Sequence, residues 1–397
     1  MGDNTTAATA AAAAAAVAAT PAQAPAPAPA SASVPSNAGA FRVVPHPAPA
    51  TEAERIERTG DMKFGMSFTD HMARMTWTAD GGWGDRRIEP YGPIPMDPAS
   101  SVLHYAQEVF EGLKAYRWAD GSVWLFRPES NARRFQRSAW RMALPELPVE
   151  DFMASIGEFM AVEKDWVPNA PESSLYLRPF LIGTDVFLGL RPSKKVDYLL
   201  IASPSGPYFA GGVKPVSIWV EKDYHRSGPG GTGAAKCGGN YASALRPQIE
   251  AGARGYDQVL FLDAATGKVL EELGGMNVFA VRTDGTVLTP VLNGNILEGV
   301  TRSSVIQLIE DQDLKVVERD ITLAELREGI DNGEITEVFA CGTAAIVTPV
   351  GRMGSDDFEV TVGDGKPGPV TLAVRQRLTD IQFGRADDAF GWMQRVA

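Results

Sequence analysis

One lysine of this sequence lies in a glycine-rich segment whose composition suits contact with a ligand. Residues 227–243 read SGPGGTGAAKCGGNYAS, and six of these seventeen residues are glycine. So much glycine is costly in chain entropy unless the backbone must approach something closely. A lysine amine that is partly desolvated becomes nucleophilic and reacts with carbonyl groups. The segment therefore predicts either a mobile loop that carries a solvated lysine or a reactive Lys236 that contacts a flat cofactor.

Other chemistries are poorly supported by the residue types present. Gly228, Gly230 and Gly233 spell the dinucleotide pattern GxGxxG, but residues 220–226 before them are polar and no helical pattern follows directly. A P-loop is excluded because Ala-Ala-Lys follows GPGGTG where GK[ST] is required. The four histidines form no HExxH motif or ligand pair, and GxSxG does not occur. We expect no metal site and no serine hydrolase.

Composition bounds the class of protein that must position these groups. With 397 residues, two domains are expected and three at most. The 37 basic and 49 acidic side chains give a net charge of −12, which disfavours binding to nucleic acid. No apolar run is long enough to cross a membrane. Two cysteines, Cys237 and Cys341, cannot build a disulfide framework, so a reducing, cytoplasmic compartment is expected.

The first fifty residues differ from the rest of the chain. They consist mostly of Ala, Pro, Ser and Thr, without the basic start of a secretory signal or the scattered arginines of a transit peptide. We predict a disordered extension over 1–50.

Beyond residue 50, strand and helix patterns alternate. Strands are predicted over 121–127, 174–182, 197–202, 216–220, 258–262, 277–282 and 286–288. Helices are predicted over 131–142, 151–165, 300–311 and 369–383, and a capping box at Thr322 and Glu325 opens a short one. The turn-rich stretch 204–213 marks a boundary. We predict an α+β enzyme with a small α/β domain over 51–207, an interdomain loop over 208–216 and a large domain over 217–397, and with ligand chemistry in the cleft between the two domains.

Three motifs around the lysine are distinctive together. GTGAAKCGGNYAS at 231–243, EELGGMN at 271–277 and LNGNILEGVTR at 292–302 resemble the branched-chain aminotransferases, which are fold-type IV enzymes dependent on pyridoxal 5'-phosphate (PLP). The resemblance runs from about residue 64 to 384. It implies a smaller N-terminal α/β domain, a larger C-terminal pseudo-barrel domain, an active site in the interdomain cleft and a homodimer.

Alternatives within and outside this group remain. D-amino-acid aminotransferases and aminodeoxychorismate lyases share the same cofactor residues, although FEGLKAYR at 110–117 and SLYLRPFLIG at 174–183 favour the branched-chain enzymes. A catalytically silent binding protein of the same fold is the non-enzymatic alternative.

The resemblance implies how the PLP ring is held. Lys236 binds the cofactor covalently and, once displaced, moves the proton between the substrate α-carbon and the cofactor's C4′ carbon. Glu272 pairs with the pyridine nitrogen and keeps it protonated, while its neighbour Glu271 faces the other way if this segment is a strand. Tyr241 donates a hydrogen bond to the phenolic oxygen.

The same resemblance assigns the phosphate group. Arg134 matches the phosphate-binding arginine, with the adjacent Arg133 as the alternative if the alignment is off by one residue. Val300 and Thr301 offer backbone N–H groups at the start of a helix that begins after Gly299.

The substrates implied are L-leucine, L-isoleucine or L-valine with 2-oxoglutarate, which exchange an amino group reversibly to give the branched 2-oxo acid and L-glutamate. The backbone N–H groups of Thr343 and Ala344 would bind the α-carboxylate, and Arg178 would bind the second carboxylate of glutamate. The pocket for the apolar side chain would be lined by Tyr105, Phe110, Tyr176 and Tyr208.

Overall fold

The computed structural model describes residues 40–60, 64–206 and 213–397. Among these residues, no helix is both long and apolar enough to cross a lipid bilayer. The strands are β1 (Arg42–Val43), β2 (His71–Thr78), β3 (Gly82–Pro90), β4 (Glu108–Phe110), β5 (Leu113–Arg117), β6 (Val123–Phe126), β7 (Ser174–Gly183), β8 (Lys195–Ser205), β9 (Val216–Glu221), β10 (Gln258–Leu262), β11 (Leu270–Leu273), β12 (Asn277–Arg282), β13 (Val287–Thr289), β14 (Val316–Glu318), β15 (Ile335–Gly342), β16 (Ile346–Ser355), β17 (Phe358–Thr361) and β18 (Met393–Arg395). The helices are α1 (Glu52–Gly60), α2 (Ser101–Tyr105), α3 (Pro128–Arg141), α4 (Val149–Glu163), α5 (Gly238–Ala253), α6 (Val300–Glu310), α7 (Leu323–Asp331) and α8 (Pro369–Gln382), with a short 3₁₀ turn at Lys164–Trp166.

The first nine-stranded sheet is built mainly from the N-terminal half of the chain. Its order is β1-β3-β2-β8-β7-β5-β6-β18, and β4 pairs with β7. Helices α3 and α4 cover this sheet with phenylalanines spaced at helical intervals, and Phe135, Phe152 and Phe159 are fully buried there. Burial of each such side chain stabilises the fold by about 1.5–3 kcal/mol. The packing of these helices therefore stabilises the sheet that carries the residues of β4, β5 and β7.

The second nine-stranded sheet is built from the C-terminal half. Its order is β11-β10-β9-β16-β15-β12-β13-β14, with β17 paired to β16. The sheet is mixed, since β9 runs parallel to both β10 and β16 while β12, β15 and β16 are antiparallel neighbours. Sheets and helices are both abundant and not strictly alternating, so the predicted α+β class is confirmed. The predicted domain boundaries remain a prediction.

Two local predictions were wrong. The extension predicted over 1–50 runs too far, because Phe41 is buried and β1 pairs in parallel with β3. A two-residue strand is too short to produce a periodic pattern, so the sequence did not predict it. Helix α5 begins at Gly238, inside the glycine-rich segment and five residues after the GxGxxG pattern ends at Gly233, where no helix was predicted. Gly238, Gly239 and Pro247 within it have low helix propensity and masked its signal.

The other predicted elements are confirmed to within a few residues at each end. The strands over 258–262 and 277–282 have the predicted bounds, and the capping box opens α7, where the Thr322 side chain accepts a hydrogen bond from the Glu325 N–H. Of the predicted loop 208–216, residues 208–212 lie outside the described residues.

Candidate active site

Lys236 stands where the two halves of the fold meet, just before α5. Its backbone N–H donates to Ser138 Oγ on α3 (2.9 Å), and its carbonyl accepts the N–H of Phe110 at the end of β4 (3.0 Å). The amine Nζ donates to Tyr241 Oη, one turn into α5, at 2.6 Å, and it lies 4.8 Å from the centre of the Phe110 ring. The main chain and the amine are thus both held in place.

The glycine-rich segment before the lysine is packed rather than free. A Cβ atom at Gly233 would lie 2.1 Å from the carbonyl oxygen of Asn295, so only glycine fits there. The buried Arg226 guanidinium donates to the carbonyls of both Gly233 (2.8 Å) and Asn295 (2.7 Å). The part-buried, hydrogen-bonded Lys236 amine disfavours the mobile loop with a solvated lysine, and the reactive Lys236 stays a prediction.

Glu272 on β11 is a buried carboxylate that lines the same cavity as Lys236. Its Oε1 accepts the backbone N–H of Leu297 (2.7 Å) and forms an ion pair with Arg226 Nη2 at 2.5 Å. Burial raises the pKa of Glu272 to about 7, although the Arg226 guanidinium acts in the opposite direction. Glu271 points elsewhere, as predicted for a strand, and accepts a hydrogen bond from Asn295 Nδ2 at 2.8 Å.

Arg134 and the start of α6 both line the cavity. Arg134 on α3 is buried, binds both carboxylate oxygens of Glu111 (2.7 and 2.9 Å) and donates to the carbonyl of Glu298 at 3.1 Å. Helix α6 begins after Gly299, which has no side chain to cap the first N–H groups. Arg133, by contrast, is 62% exposed and lies 3.6 Å from Glu129. Of the two arginines, only Arg134 lines the cavity.

These groups share one cavity that opens to solvent. Eleven of the thirteen predicted site residues line it. They are Phe110, Arg134, Tyr176, Arg178, Lys236, Tyr241, Glu272, Val300, Thr301, Thr343 and Ala344.

The remaining two predicted site residues do not join this group. Tyr105 is 37% exposed, its hydroxyl donates to the carbonyl of Leu188, and it does not line the cavity of its own chain. Tyr208 lies outside the described residues.

The mouth of the cavity is aromatic with one cation. Arg178 Nη2 donates to Tyr176 Oη at 2.9 Å, and its guanidinium carbon lies 4.7 Å from the centre of the Phe110 ring. Arg178 Nε is buried and has no acceptor among the residues that the structure describes. A Cβ atom at Gly112 would come within 2.0 Å of Tyr176 Oη, so glycine leaves space for this hydroxyl. An apolar pocket with a partly unpaired cation suits both an aliphatic side chain and a carboxylate.

Sequence analysis missed several polar groups that support the site. Glu111 is fully buried beside Arg134, Arg226 neutralises Glu272, and Lys114 is buried beneath the cavity. Burial raises the pKa of Glu111, but the Arg134 guanidinium and its hydrogen bonds outweigh this and hold the pKa below its ordinary value. The charged residues among the apolar and aromatic residues of FEGLKAYR are the one signal that could have revealed Glu111 and Lys114.

Known proteins are similar to this chain in sequence. A family model described as amino-transferase class IV matches residues 108–353. The branched-chain-amino-acid aminotransferase of Mycolicibacterium smegmatis is 52% identical over 360 residues, which are 90% of this chain and 98% of that protein.

Solved structures are similar as well. The branched-chain amino acid aminotransferase of Escherichia coli superposes with a TM-score of 0.68 at 28% identity, covering 82% of this chain and 100% of that chain. The T.th. branched-chain amino acid aminotransferase with pyridoxamine 5'-phosphate gives a TM-score of 0.67 at 30% identity, covering 82% of this chain and 99% of that chain.

Proposed function

The chain belongs to the class IV aminotransferase family, and we propose that the cavity around Lys236 carries out branched-chain amino-acid transamination. The enzyme transfers the amino group of L-leucine, L-isoleucine or L-valine reversibly to 2-oxoglutarate, giving the branched 2-oxo acid and L-glutamate, and PLP is its cofactor. The predicted fold-type IV class is confirmed. The observation that carries the assignment of the site is the convergence of Lys236, Glu272 and Arg134 on one cavity.

The chemistry of these donors fits PLP. The cofactor has an aldehyde, a ring nitrogen, a phenolic oxygen and a phosphate, and the cavity offers an amine, a carboxylate, a phenol and a cationic helix start. Lys236 would hold the aldehyde carbon, Glu272 the ring nitrogen and Tyr241 the phenolic oxygen. The phosphate would be bound by Arg134 and by the N–H groups of Val300 and Thr301. When bound, PLP supplies a ring that withdraws electrons from the substrate α-carbon.

The protein's own groups then orient the substrate and move its proton. Lys236 Nζ takes the proton from the substrate α-carbon and returns one to complete the transfer. Tyr241 Oη, 2.6 Å away, keeps this amine directed into the cavity. Arg226 and the Leu297 N–H hold the Glu272 carboxylate, so its position does not depend on solvent. Phe110 and Tyr176 line the cavity beside Lys236 and would limit the access of water to the reacting carbon.

A substrate panel tests this proposed function directly. The purified protein with PLP should convert L-leucine, L-isoleucine and L-valine in the presence of 2-oxoglutarate and should form L-glutamate. Activity on D-alanine without activity on L-leucine would instead place the protein with the D-amino-acid aminotransferases. Release of an aromatic amine and pyruvate from an aminodeoxychorismate substrate would favour the lyase alternative.

Loss of Arg178 should affect the substrates unequally, because only glutamate and 2-oxoglutarate carry the second carboxylate that Arg178 would bind. In Arg178→Met, which keeps an apolar stem over Phe110 and Tyr176, we expect kcat/KM for glutamate and 2-oxoglutarate to fall roughly 10- to 100-fold, the scale of a charge-assisted hydrogen bond. The value for leucine should change less than about fivefold. Steady-state kinetics with each substrate measures the difference. Arg133→Met removes an exposed arginine as a control and should change neither value, whereas equal losses for both substrates would refute the role of Arg178.

We further propose a homodimer in which Tyr105 completes the partner's pocket. Residues 100–105 and 185–188 are joined by a bridge between Ser100 and Val186 and by backbone hydrogen bonds, so they form one surface. This surface exposes large apolar side chains, among them Leu103 (58%) and Leu188 (67%). A contiguous exposed apolar patch of this kind suits a protein interface. The homodimeric organisation implied for the family is the reason for choosing a second copy as its occupant.

Replacement of Leu188 by aspartate tests the dimer. Burying a carboxylate in an apolar interface is costly, so Leu188→Asp should weaken self-association by at least about tenfold. Sedimentation velocity over a concentration series measures the change, and activity should fall together with the dimer fraction. Leu372→Asp on α8 introduces the same charge at another exposed leucine and should leave association unchanged. A Leu188→Asp protein that sediments like the wild type at every concentration would contradict this interface.

A cytoplasmic location is part of the proposal. Cys237 and Cys341 are both buried and free, and burial raises the pKa of the Cys341 thiol to about 12. Buried free thiols of this kind act as packing residues and suit a reducing compartment.

A further inference from the structure

Beneath the cavity lies a buried lysine that the reaction described above does not use. Lys114 on β5 pairs in register with Tyr176 on β7, so both side chains stand on the same face of the sheet. Lys114 is only 6% exposed. Its ammonium donates to the carbonyl of Ala344 at 3.0 Å. A lysine is rarely buried unless its charge has a specific task or partner.

The partner of Lys114 is the turn between β15 and β16. Strand pairing ends at Gly342 and Ile346, so the N–H groups of Thr343 and Ala344 take no part in the ladder. Both residues line the cavity, and both were assigned to the substrate α-carboxylate in the proposed function. Lys114 reaches the turn without lining this cavity itself, and Gly342 and Thr343 also face it across a smaller neighbouring cavity.

A second buried cation holds the far side of the same turn. Arg375 on α8 donates to the carbonyl of Val347 at 3.2 Å and, more weakly, to that of Ala345 at 3.4 Å. Its other nitrogen contacts Glu172 at 3.3 Å. Together the two cations engage three carbonyls within four residues, which leaves the turn little freedom to rotate its peptide groups.

The turn needs such support because its backbone is strained. Ile346 has φ = +63°, in the left-handed region that a β-branched residue rarely adopts. A conformation of this kind costs about 1–3 kcal/mol and persists only where the surroundings impose it. Without its side-chain contacts the turn would relax, and its N–H groups would no longer be aimed at one point in the cavity.

We propose that Lys114 is a positioning residue for the substrate α-carboxylate, acting through the Ala344 carbonyl to hold the Thr343 and Ala344 N–H groups toward the cavity and adding positive charge beneath them. This proposal rests on the proposed function, because that function places the carboxylate at the turn. Burial lowers the pKa of Lys114 to about 8, with Arg375 acting in the same direction and Glu172 opposing both. At pH 7 the side chain is therefore still mostly protonated and keeps the positive charge that the proposal needs.

The test compares ligands that do and do not carry a carboxylate, using the holoenzyme. In Lys114→Met, the Kd for 4-methylvaleric acid, measured by titration of the cofactor absorbance, should rise about tenfold or more. The leucine half-reaction should slow through a higher apparent Kd. The half-reaction with 3-methylbutylamine, which is leucine without its carboxylate, should change less than about threefold. Lys114→Arg keeps a charged donor and should restore carboxylate binding to within about threefold of the wild type.

Controls separate this role from a merely structural one. Cofactor content and Tm of each variant report whether the fold survives, and Lys114→Gln, which keeps an uncharged donor, replaces the methionine variant if the latter does not fold. Its Kd should fall between those of the wild type and Lys114→Met. Wild-type affinity for 4-methylvaleric acid in Lys114→Met, or equal losses for leucine and 3-methylbutylamine, would overturn the proposal. Failure of the wild type itself to convert leucine would instead overturn the proposed function.

Discussion

Replacing Lys236 with alanine is expected to remove transamination, with kcat for leucine and 2-oxoglutarate falling by at least about 10³-fold. The amine is the group that both holds the cofactor and moves the α-proton, and loss of a positioned general base alone costs about 10²- to 10⁴-fold. The neighbouring Tyr241, whose hydroxyl lies 2.6 Å from the amine, cannot replace it, because a phenol does not bind an aldehyde as an amine does. Coupled measurement of glutamate formation gives the rate.

The site of covalent attachment provides a second measurement for the same variant. Borohydride reduction should fix the cofactor to the lysine that carries it, and peptide mass analysis should locate the added mass at Lys236 in the wild type and find none in Lys236→Ala. Lys315→Ala, at an exposed lysine outside the cavity, is the control and should behave as the wild type does. Turnover by Lys236→Ala at the wild-type rate, or a reduced cofactor on Lys114, would end the mechanism proposed here.

Neutralising Glu272 is the second change with a large expected effect. Glu272→Gln keeps the shape of the side chain and its contact with the Leu297 N–H but cannot hold a proton on the cofactor ring nitrogen. We expect kcat to fall roughly 10²-fold or more, the scale on which loss of one preorganised electrostatic group acts. Glu271→Gln is a matched control on the same strand, since that carboxylate binds Asn295 and does not line the cavity. It should stay within about threefold of the wild type.

The affinity of the protein for PLP should depend on pH because of the same carboxylate, Glu272. The pKa of Glu272 is raised to about 7, so in the cofactor-free protein the group is ionised above this pH and neutral below it. The ionised form attracts a protonated ring nitrogen, and PLP affinity of the wild-type apoenzyme should therefore fall as the pH is lowered from 8 to 6. Glu272→Gln has no carboxylate to titrate, so the difference between the two pH profiles gives the contribution of Glu272 ionisation to PLP affinity. Parallel profiles, or equal activity losses in Glu272→Gln and Glu271→Gln, would contradict the assignment.

Most regular elements could be predicted because their signals are local. Strands β10 and β12 are short runs of mostly apolar, almost continuously buried residues, and helices α6 and α8 bury residues at intervals of about 3.6 within their own segments. Helix α5 and strand β1 escaped for local reasons as well. Two glycines and a proline weaken the helical pattern of α5, and β1 is too short to have a pattern of its own, since its pairing with β3 alone makes it a strand.

The residues of the candidate site could be predicted only in part. The motifs around Lys236, Glu272 and Arg178 were assigned through their resemblance to a family, and the structure brings these residues to one cavity. Glu111 and Lys114 carry no motif of their own. Their importance arises because β5 and the residues before it lie against α3 and the β15–β16 turn, which are distant in sequence.

The amino-acid order alone determined which reactive groups exist, where glycine permits close backbone approach, and which segments form strands or helices, since these properties depend on neighbours within a few residues. Only the tertiary structure decided that the buried Glu272 forms an ion pair with Arg226. It also decided that Arg134 rather than Arg133 lines the cavity, and that Tyr105 does not line it. The physical reason is that distances between remote segments, and the burial that shifts a pKa, are set by strand register and close packing, which no short stretch of sequence contains.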